Sequence, residues 1–411
     1  MAGPKGSLTV SAGFHSTLVA DGKIPPGPSP VDGDSTSVPV LPMPDDVPTL
    51  KAMLEAERIR NTELLAQVRT SVPMLLSFQT PIQAPPASKK ALWRQACAND
   101  EITSDSWRDI WLDHVARNVK EFDADSRMID QLYGAYAYKP TICCASGPSL
   151  KKNRAMLKKC PDDIGIISCL HNFGAFVDEE LPCKYFVTLD AGDVTIPEMG
   201  EGGKKTLSYY QDASKDYTLI AGLVAHPDLI KIWKGPIYFF NVTIPDQKYM
   251  EEMPKITRNR WVYSVGGNTF GASMYHAAWI WGSNPLALIG ADFAFDYMHK
   301  FHSWDSQYDK KFQGVIPCVD IFGNRVFSWP SYQNFRCWTE FQALGGGSGH
   351  NLEMINCTEG GTLGAYPDGN IVQIKQMALG QFIDSYTRWR KLKETLDKPV
   401  AERQYEWVSM W

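Results

Sequence analysis

Two polar turns in this chain contain the residue types that bind phosphate. In the first, Ser146, Gly147, Pro148 and Ser149 follow the apolar run 141–145. Gly147 permits close backbone approach, Pro148 suits a first helical turn and Ser149 offers a hydroxyl. Because N–H groups at a helix start attract anions, the turn predicts a phosphate contact. An ordinary strand–turn–helix junction is the alternative.

The second polar turn consists of Gly266, Gly267, Asn268 and Thr269, and an apolar stretch typical of a helix follows it. Here the glycines again precede a helix, and the asparagine and threonine side chains provide polar contacts. The turn predicts a second anion or nucleotide contact. A loop that ends in a helix cap explains the same residues.

Carboxylates follow two further apolar runs. Asp292 comes after residues 286–289, and this position suits a ribose contact, a metal ligand, a base or a helix cap. Asp190 and Asp193 follow residues 185–189. Two carboxylates at this spacing suit a divalent cation that bridges phosphates, although a solvated turn also accounts for them.

Two histidines, His299 and His302, lie shortly after Asp292, close to Tyr297. A histidine can serve as general acid or base near neutral pH, and surface-loop histidines are the simpler explanation. The same histidines with Asp292 and Asp296 match no standard metal-site spacing. We therefore predict no certain cofactor, with Mg²⁺ as the candidate if the chemistry needs one.

Short β-rich runs alternate with helical stretches after residue 139, which predicts an α/β fold. We expect a Rossmann-like, mostly parallel sheet with helices on both faces. The predicted strands cover residues 141–145, 164–169, 185–189, 218–223, 236–240 and 286–289. The predicted helices cover residues 149–159, 172–180, 270–281 and 373–396.

The start of the chain has a different composition, since no tryptophan occurs before Trp93. Proline, glycine, serine and aspartate dominate residues 1–48, which predicts a disordered arm. The remaining predicted segments are a helix with coiled-coil potential for self-association (49–72), a linker (73–88), a helical subdomain (89–138), the Rossmann-like transferase domain (139–398) and a tail (399–411).

Composition excludes several classes of protein. A net charge of −5 is not the electrostatic pattern of a nucleic-acid binder. We expect no membrane span and no secretory signal, because no apolar run is long enough and no apolar segment follows the first residues. The nine cysteines form no Cys-x-x-Cys pair, so we interpret them as reduced thiols of a cytoplasmic protein.

Five blocks of this sequence resemble, in order, those of the motility accessory factor (Maf) glycosyltransferases. That family shares a domain with the archaeal 6-hydroxymethylpterin diphosphokinase MptE-like family. The blocks lie at residues 146–150, 185–190, 266–269, 288–294 and 355–361, within a resemblance that spans roughly residues 105–385. The usual Gly-Lys-Thr-His run after the aspartate is replaced by Asp296-Tyr297-Met298-His299.

The chain also resembles bacterial sialyltransferases with a variant nucleotide-binding fold. Those enzymes have an asparagine after the second strand, and Asn172 stands at that position here. Together the resemblances imply that His302, or else His299, is the general base, and that Tyr297 contacts the leaving phosphate. They also place Asp292 among the catalytic residues. The nucleotide site that they imply consists of Ser146, Gly147, Pro148, Ser149, Asn172, Asp190, Gly266, Gly267, Asn268, Thr269 and Tyr297.

The resemblance favours a glycosyltransferase that moves a sugar, such as a CMP-linked nonulosonic acid, to a protein or glycan hydroxyl. The first alternative is an MptE-like diphosphokinase that transfers pyrophosphate from ATP, with Asp190, Asp193 or Asp292 as Mg²⁺ ligands. The second alternative is a non-enzymatic assembly module that reuses a nucleotide-binding fold.

Overall fold

The computed structural model describes residues 89–244, 246–259, 262–263, 265–295, 303, 315–343, 352–365 and 374–396. These residues all belong to one compact unit. The predictions for residues 1–48, 49–72, 73–88 and 399–411 lie outside the described residues, and so does self-association through 49–72. No helix in the described ranges is long and apolar enough to cross a membrane.

A nine-stranded sheet forms the centre of the described structure, and every strand pair in it is parallel. Its strands are β1 (Thr141–Cys144), β2 (Gly165–Cys169), β3 (Tyr185–Thr188), β4 (Thr218–Gly222), β5 (Ile237–Val242), β6 (Val262–Tyr263), β7 (Leu286–Ile289), β10 (Met354–Asn356) and β11 (Lys375–Gln376). Two further strands, β8 (Ile316–Val319) and β9 (Arg325–Ser328), form a separate antiparallel hairpin. The predicted α/β fold is confirmed.

Helices connect most of the parallel strands, as crossovers of this kind require, and further helices precede the first strand and follow the last. They are α1 (Lys89–Phe122), α2 (Leu150–Asn153), α3 (Phe173–Asp178), α4 (Thr195–Glu198), α5 (Leu207–Ala213), α6 (Pro227–Ile232), α7 (Gln247–Ile256), α8 (Thr269–Tyr275), α9 (Pro330–Ala343) and α10 (Leu379–Leu396).

The sheet has its topological switch point between β1 and β7. From β1 the chain adds β2 to β6 towards one edge, and it then returns to place β7 on the other side of β1, followed by β10 and β11. All four residues of β1 and of β7 are buried, as expected for strands covered on both faces. The loops that leave these two strands run in opposite directions, and the resulting crevice is where α/β sheets bind ligands.

Three predicted elements differ from the observed ones. The helix predicted at 373–396 begins only at Leu379, because Lys375–Gln376 pairs with β10. The helix predicted at 149–159 is one α-helical turn followed by a 3₁₀ segment, Arg154–Lys159. The helix predicted at 270–281 begins at Thr269 and changes at His276–Ile280 into a π-helical turn.

The long helix α1 packs against the same hydrophobic core as the sheet. Val115 is fully buried, and the amide of Asn118 donates to the carbonyl oxygens of Leu223 and Ala225, both at 2.9 Å. Its C-terminal half therefore rests on the loop that follows β4, next to the carboxyl ends of the strands.

Candidate functional site

A cleft of about 780 Å³, counted with its open mouth, lies at the carboxyl ends of β1, β2, β3 and β7. We call it the switch-point cleft. Its lining comprises residues 145–147, 169–171, 268–270 and 290–294 together with Val187, Thr188, Asp190, Glu198, Tyr332 and Phe335.

Asp292 lies in the loop that follows β7 and is hydrogen-bonded to the turn after β1. Its Oδ2 accepts the Ser149 hydroxyl at 2.7 Å and the Ser149 N–H at 3.2 Å. Burial raises the pKa of the Asp292 carboxyl to about 6, while the two hydrogen bonds from Ser149 and the charge of Lys152 oppose the rise. The result is a buried carboxyl group that is held on one oxygen and titrates near neutral pH.

Glycines from two of the predicted motifs make room for Asp292. A Cβ on Gly147 would lie within 3.0 Å of Asp292 Oδ2 and of the Gly290 carbonyl oxygen. A Cβ on Gly361 would lie within 3.0 Å of the Asp292 backbone, and Gly361 also has a φ of +70°. Gly147 and Gly361 are therefore needed for close packing around this carboxylate.

This arrangement changes the interpretation of the first polar turn. The sequence predicted that its N–H groups and hydroxyl face a phosphate, but the N–H and hydroxyl of Ser149 already donate to Asp292. Pro148 is half-buried at the start of the helical turn, and only Ser146 and Gly147 of this turn line the cleft.

The second polar turn reaches the cleft through its last two residues. Gly266 and Gly267 have φ values of +62° and +76°, which explains why glycine stands at both positions. The Asn268 side chain caps α8 by accepting the Gly271 N–H at 2.8 Å. Asn268 and Thr269 line the cleft, whereas the two glycines shape the backbone behind them.

Asn172 supports the site without lining it. It is fully buried, and its amide donates to the Ala145 carbonyl at 3.1 Å and to the Ser168 hydroxyl at 3.0 Å. In this structure Asn172 therefore fixes the end of β1 against β2.

Asp190 lies on the opposite wall of the cleft. Its Oδ1 accepts the Gly192 N–H at 2.8 Å, and its buried Oδ2 has no hydrogen bond in the part of the chain that the structure describes. Burial, and after it the nearby charge of Glu198, raise the pKa of Asp190 well above its usual range. Asp193, predicted as its partner, is exposed and is not part of the lining.

His171 and Glu198, which were not among the predicted site residues, also line this wall. His171 Nδ1 lies 3.4 Å from Glu201 Oε2 and 3.9 Å from Glu198 Oε1. The position of His171 directly after β2 and before Asn172 was the available signal. Among the described residues, no three His, Cys, Asp or Glu side chains come together as a metal site.

Aromatic side chains form a third part of the lining, and the sequence analysis did not assign them a role. Phe270 lies in the first turn of α8, and Tyr332 and Phe335 lie on α9. All three are nearly buried. Their rings offer the apolar surface on which a base or a sugar ring can pack.

Tyr297, His299 and His302 lie outside the described residues, so their predicted roles stay predictions. Ser303, the next residue after His302, is described. Its N–H donates to the Ser146 carbonyl at 2.8 Å, and its hydroxyl donates to the Gly147 carbonyl. The chain is thus attached to the first polar turn one residue after His302.

Comparison with known proteins agrees with the predicted resemblance. Residues 113–297 match the family model described as 6-hydroxymethylpterin diphosphokinase MptE-like. The structure of the MAf glycosyltransferase from Magnetospirillum magneticum AMB-1 is similar over 63% of this chain, at 15% identity and a TM-score of 0.45.

The matched region covers 37% of that glycosyltransferase chain, so this chain spans little more than a third of its length. No curated protein matches this chain. The family match includes β1 to β7, the two polar turns and Asp292. The similarity to the MptE-like family model therefore covers residues 113–297 of this chain.

Proposed function

We propose that this chain is a transferase that binds a nucleotide-linked sugar in the switch-point cleft and transfers the sugar to a hydroxyl group. One observation carries the proposal. The cleft lies at the carboxyl ends of the strands, at the switch point where α/β sheets bind nucleotides, and the two polar turns meet there with Asp292.

The lining suits the parts of such a donor. The aromatic group of Phe270, Tyr332 and Phe335 offers a packing surface for a base or a sugar ring. Thr269 offers a hydroxyl next to Phe270 in the chain, and Asn268 lines the cleft while its amide bonds within its own turn. A protein or glycan hydroxyl is the proposed acceptor, and a CMP-linked nonulosonic acid is the first donor to test.

Isothermal titration calorimetry of the full chain with CMP, CMP-sugars, UDP-sugars and ATP, each with and without Mg²⁺, tests the proposal. We expect a nucleotide sugar to bind, and Thr269→Val to weaken its affinity severalfold by removing one hydrogen bond. Thr387→Val is the matched control, since Thr387 is also half-buried but bonds within α10. Equal affinity in both variants would contradict the placement of the donor.

A second candidate is pyrophosphate transfer from ATP, which the family description and Asp190 favour. When bound, Mg²⁺ would neutralise triphosphate charge, and Mg²⁺ typically takes one or two protein carboxylates together with substrate phosphates. Asp190 fits this role because its Oδ2 has no hydrogen bond among the described residues. Binding of ATP that needs Mg²⁺, without binding of any nucleotide sugar, would favour this candidate.

The third hypothesis, an assembly module without catalysis, makes the opposite prediction in the same titrations. A folded full-length chain that binds no nucleotide and no nucleotide sugar would contradict both transferase proposals and support the module. Circular dichroism and a single cooperative melting transition would establish that the titrated protein is folded.

A further inference from the structure

We propose that Asp292 is the proton acceptor of the transfer step and that Ser149 is its positioning residue. This assignment rests on the proposed transferase function and deepens it. It replaces the histidines that the sequence predicted for the same role with a carboxylate inside the described cleft.

The two carboxylate oxygens of Asp292 have different hydrogen-bond partners. Oδ2 is held by the Ser149 hydroxyl and N–H. Ser149 does not donate to Oδ1, the Asp292 backbone N–H is a further donor to the carboxylate, and Asp292 is part of the cleft lining. A carboxylate whose orientation is fixed by a hydrogen-bonding partner at the wall of a cleft is the arrangement that general-base catalysis uses.

The glycines around this carboxylate give a second, independent reason. Gly147 and Gly361 come from different loops, and a side chain on either would collide with Asp292. Both loops therefore approach the carboxylate closely. A carboxylate that only capped a helix would need one N–H donor, and a second loop would not have to pack closely against it.

The other ionisable groups of the lining are less suited to accept a proton. Burial and the charge of Glu198 favour the protonated form of Asp190. His171 Nδ1 faces the carboxylates of Glu198 and Glu201. Asp292 faces Ser149 from the first polar turn, and Lys152 on α2 is the charged group whose field reaches it. Its pKa of about 6 also suits proton transfer near neutral pH.

The proposed step transfers the sugar directly from the phosphate oxygen of the donor to the acceptor oxygen. The acceptor hydroxyl gives its proton to Asp292 Oδ1, and an electron pair on the acceptor oxygen forms the new bond to the anomeric carbon of the sugar. The bond between that carbon and the phosphate oxygen of the donor breaks. Its electron pair leaves with the nucleotide, and Asp292 later returns the proton to solvent.

Release of nucleotide from CMP-N-acetylneuraminate and UDP-N-acetylglucosamine, with water as acceptor, is the assay, and calorimetry measures donor binding in parallel. We expect Asp292→Asn to lower kcat at least about 100-fold while the donor Kd changes less than about threefold. Asp216→Asn is the matched control, because Asp216 is exposed beside the opposite, amino end of β4. It should leave both quantities unchanged.

Ser149→Ala gives a test that does not depend on the folding of the asparagine variant. Removing a hydrogen bond to the ionised carboxylate should move the acidic limb of the pH–kcat profile to higher pH and lower kcat about 10-fold. A purely structural role for Ser149 would change stability without moving that limb, and this result would overturn the positioning role.

The outcomes separate this inference from the proposed function. A wild-type protein that binds neither donor contradicts both. Donor binding without any release by the wild type, or release that survives Asp292→Asn, contradicts the role of Asp292 alone. Loss of release in His302→Gln together with full activity in Asp292→Asn would return the role to the histidine.

Discussion

Two buried titratable side chains, Asp292 and His276, lie in the same α/β fold but in different surroundings. Asp292, at the carboxyl end of the sheet, accepts two hydrogen bonds from Ser149, and its pKa is raised to about 6. His276, in the π-helical turn after α8, has no hydrogen bond on either ring nitrogen among the described residues. Burial lowers the pKa of His276 to about 3.

The neighbourhoods of the two residues explain the difference. The His276 ring lies edge-on to Trp281, with ring centroids 5.1 Å apart, and the Trp281 indole N–H also lacks a hydrogen bond in the described structure. The cleft therefore supplies donors to its buried group, while the packed helical layer supplies only apolar contact. We infer that the hydrogen bonds from Ser149 partly stabilise a charge on Asp292, whereas the helical layer excludes a charge on His276.

The largest expected effect comes from closing the space around Asp292. Gly147→Ala would place a Cβ within 3.0 Å of Asp292 Oδ2 and of the Gly290 carbonyl, so the turn or the loop has to move. We expect a loss of about 3 kcal/mol or more in the free energy of unfolding, measured by urea denaturation.

Gly360→Ala is the matched control for that prediction. Gly360 also lies beside Asp292, but its added Cβ would meet ordinary contacts of 3.5 to 3.6 Å. We expect a change below about 1 kcal/mol. Similar losses in the two variants would show that general loop sensitivity, and not the approach to the carboxylate, limits stability.

The next effect is a pH dependence that originates at Asp292. The folded pKa of about 6 lies above the usual 3.8, so ionisation of this group costs stability as pH rises between these values. Asp292→Asn should remove a cost of about 3 kcal/mol that is absent below pH 3.8 and complete above pH 6. Urea unfolding of the variant and the wild type at pH 3.5, 5 and 7 measures the change, and a constant difference would contradict it.

Much of the sheet could be predicted from sequence because its strands are short apolar runs, several of which are followed closely by glycine or aspartate. The runs at 141–145 and 286–289 correspond to β1 and β7, which enclose the switch point. Gly147 was also predicted to permit close backbone approach, and a Cβ there would lie within 3.0 Å of the Gly290 carbonyl oxygen. Local composition is sufficient for such features, because each depends on a few adjacent residues.

The contacts between distant segments could not be predicted in this way. The pairing of Ser149 with Asp292 joins residues 143 positions apart, so the sequence alone could not show that the Ser149 hydroxyl donates to this carboxylate. The lining by Tyr332 and Phe335 depends on how α9 packs, which no local pattern specifies. Helix 373–396 was predicted too long because the pairing of β11 with β10 competes with helical propensity.

The smallest of the expected effects concerns His276 and has the opposite sign in pH. Its folded pKa of about 3 lies below the usual 6.5, so the unfolded chain binds a proton that the folded chain excludes between these values. His276 should therefore cost about 2 kcal/mol of stability when the pH falls from 7 to 5. The pKa of His114 is also lowered by burial. Because His114 is present in both the wild type and His276→Phe, its contribution cancels when the two proteins are compared. The difference between the two unfolding curves should then shift in favour of the variant as pH falls, whereas for Asp292→Asn it shifts in favour of the variant as pH rises.

His226→Gln, a change at a partly exposed histidine outside the cleft lining, controls for the loss of a histidine. If His276→Phe and the wild type respond equally to pH, the helical layer does accommodate charge, and the contrast between the two regions is wrong.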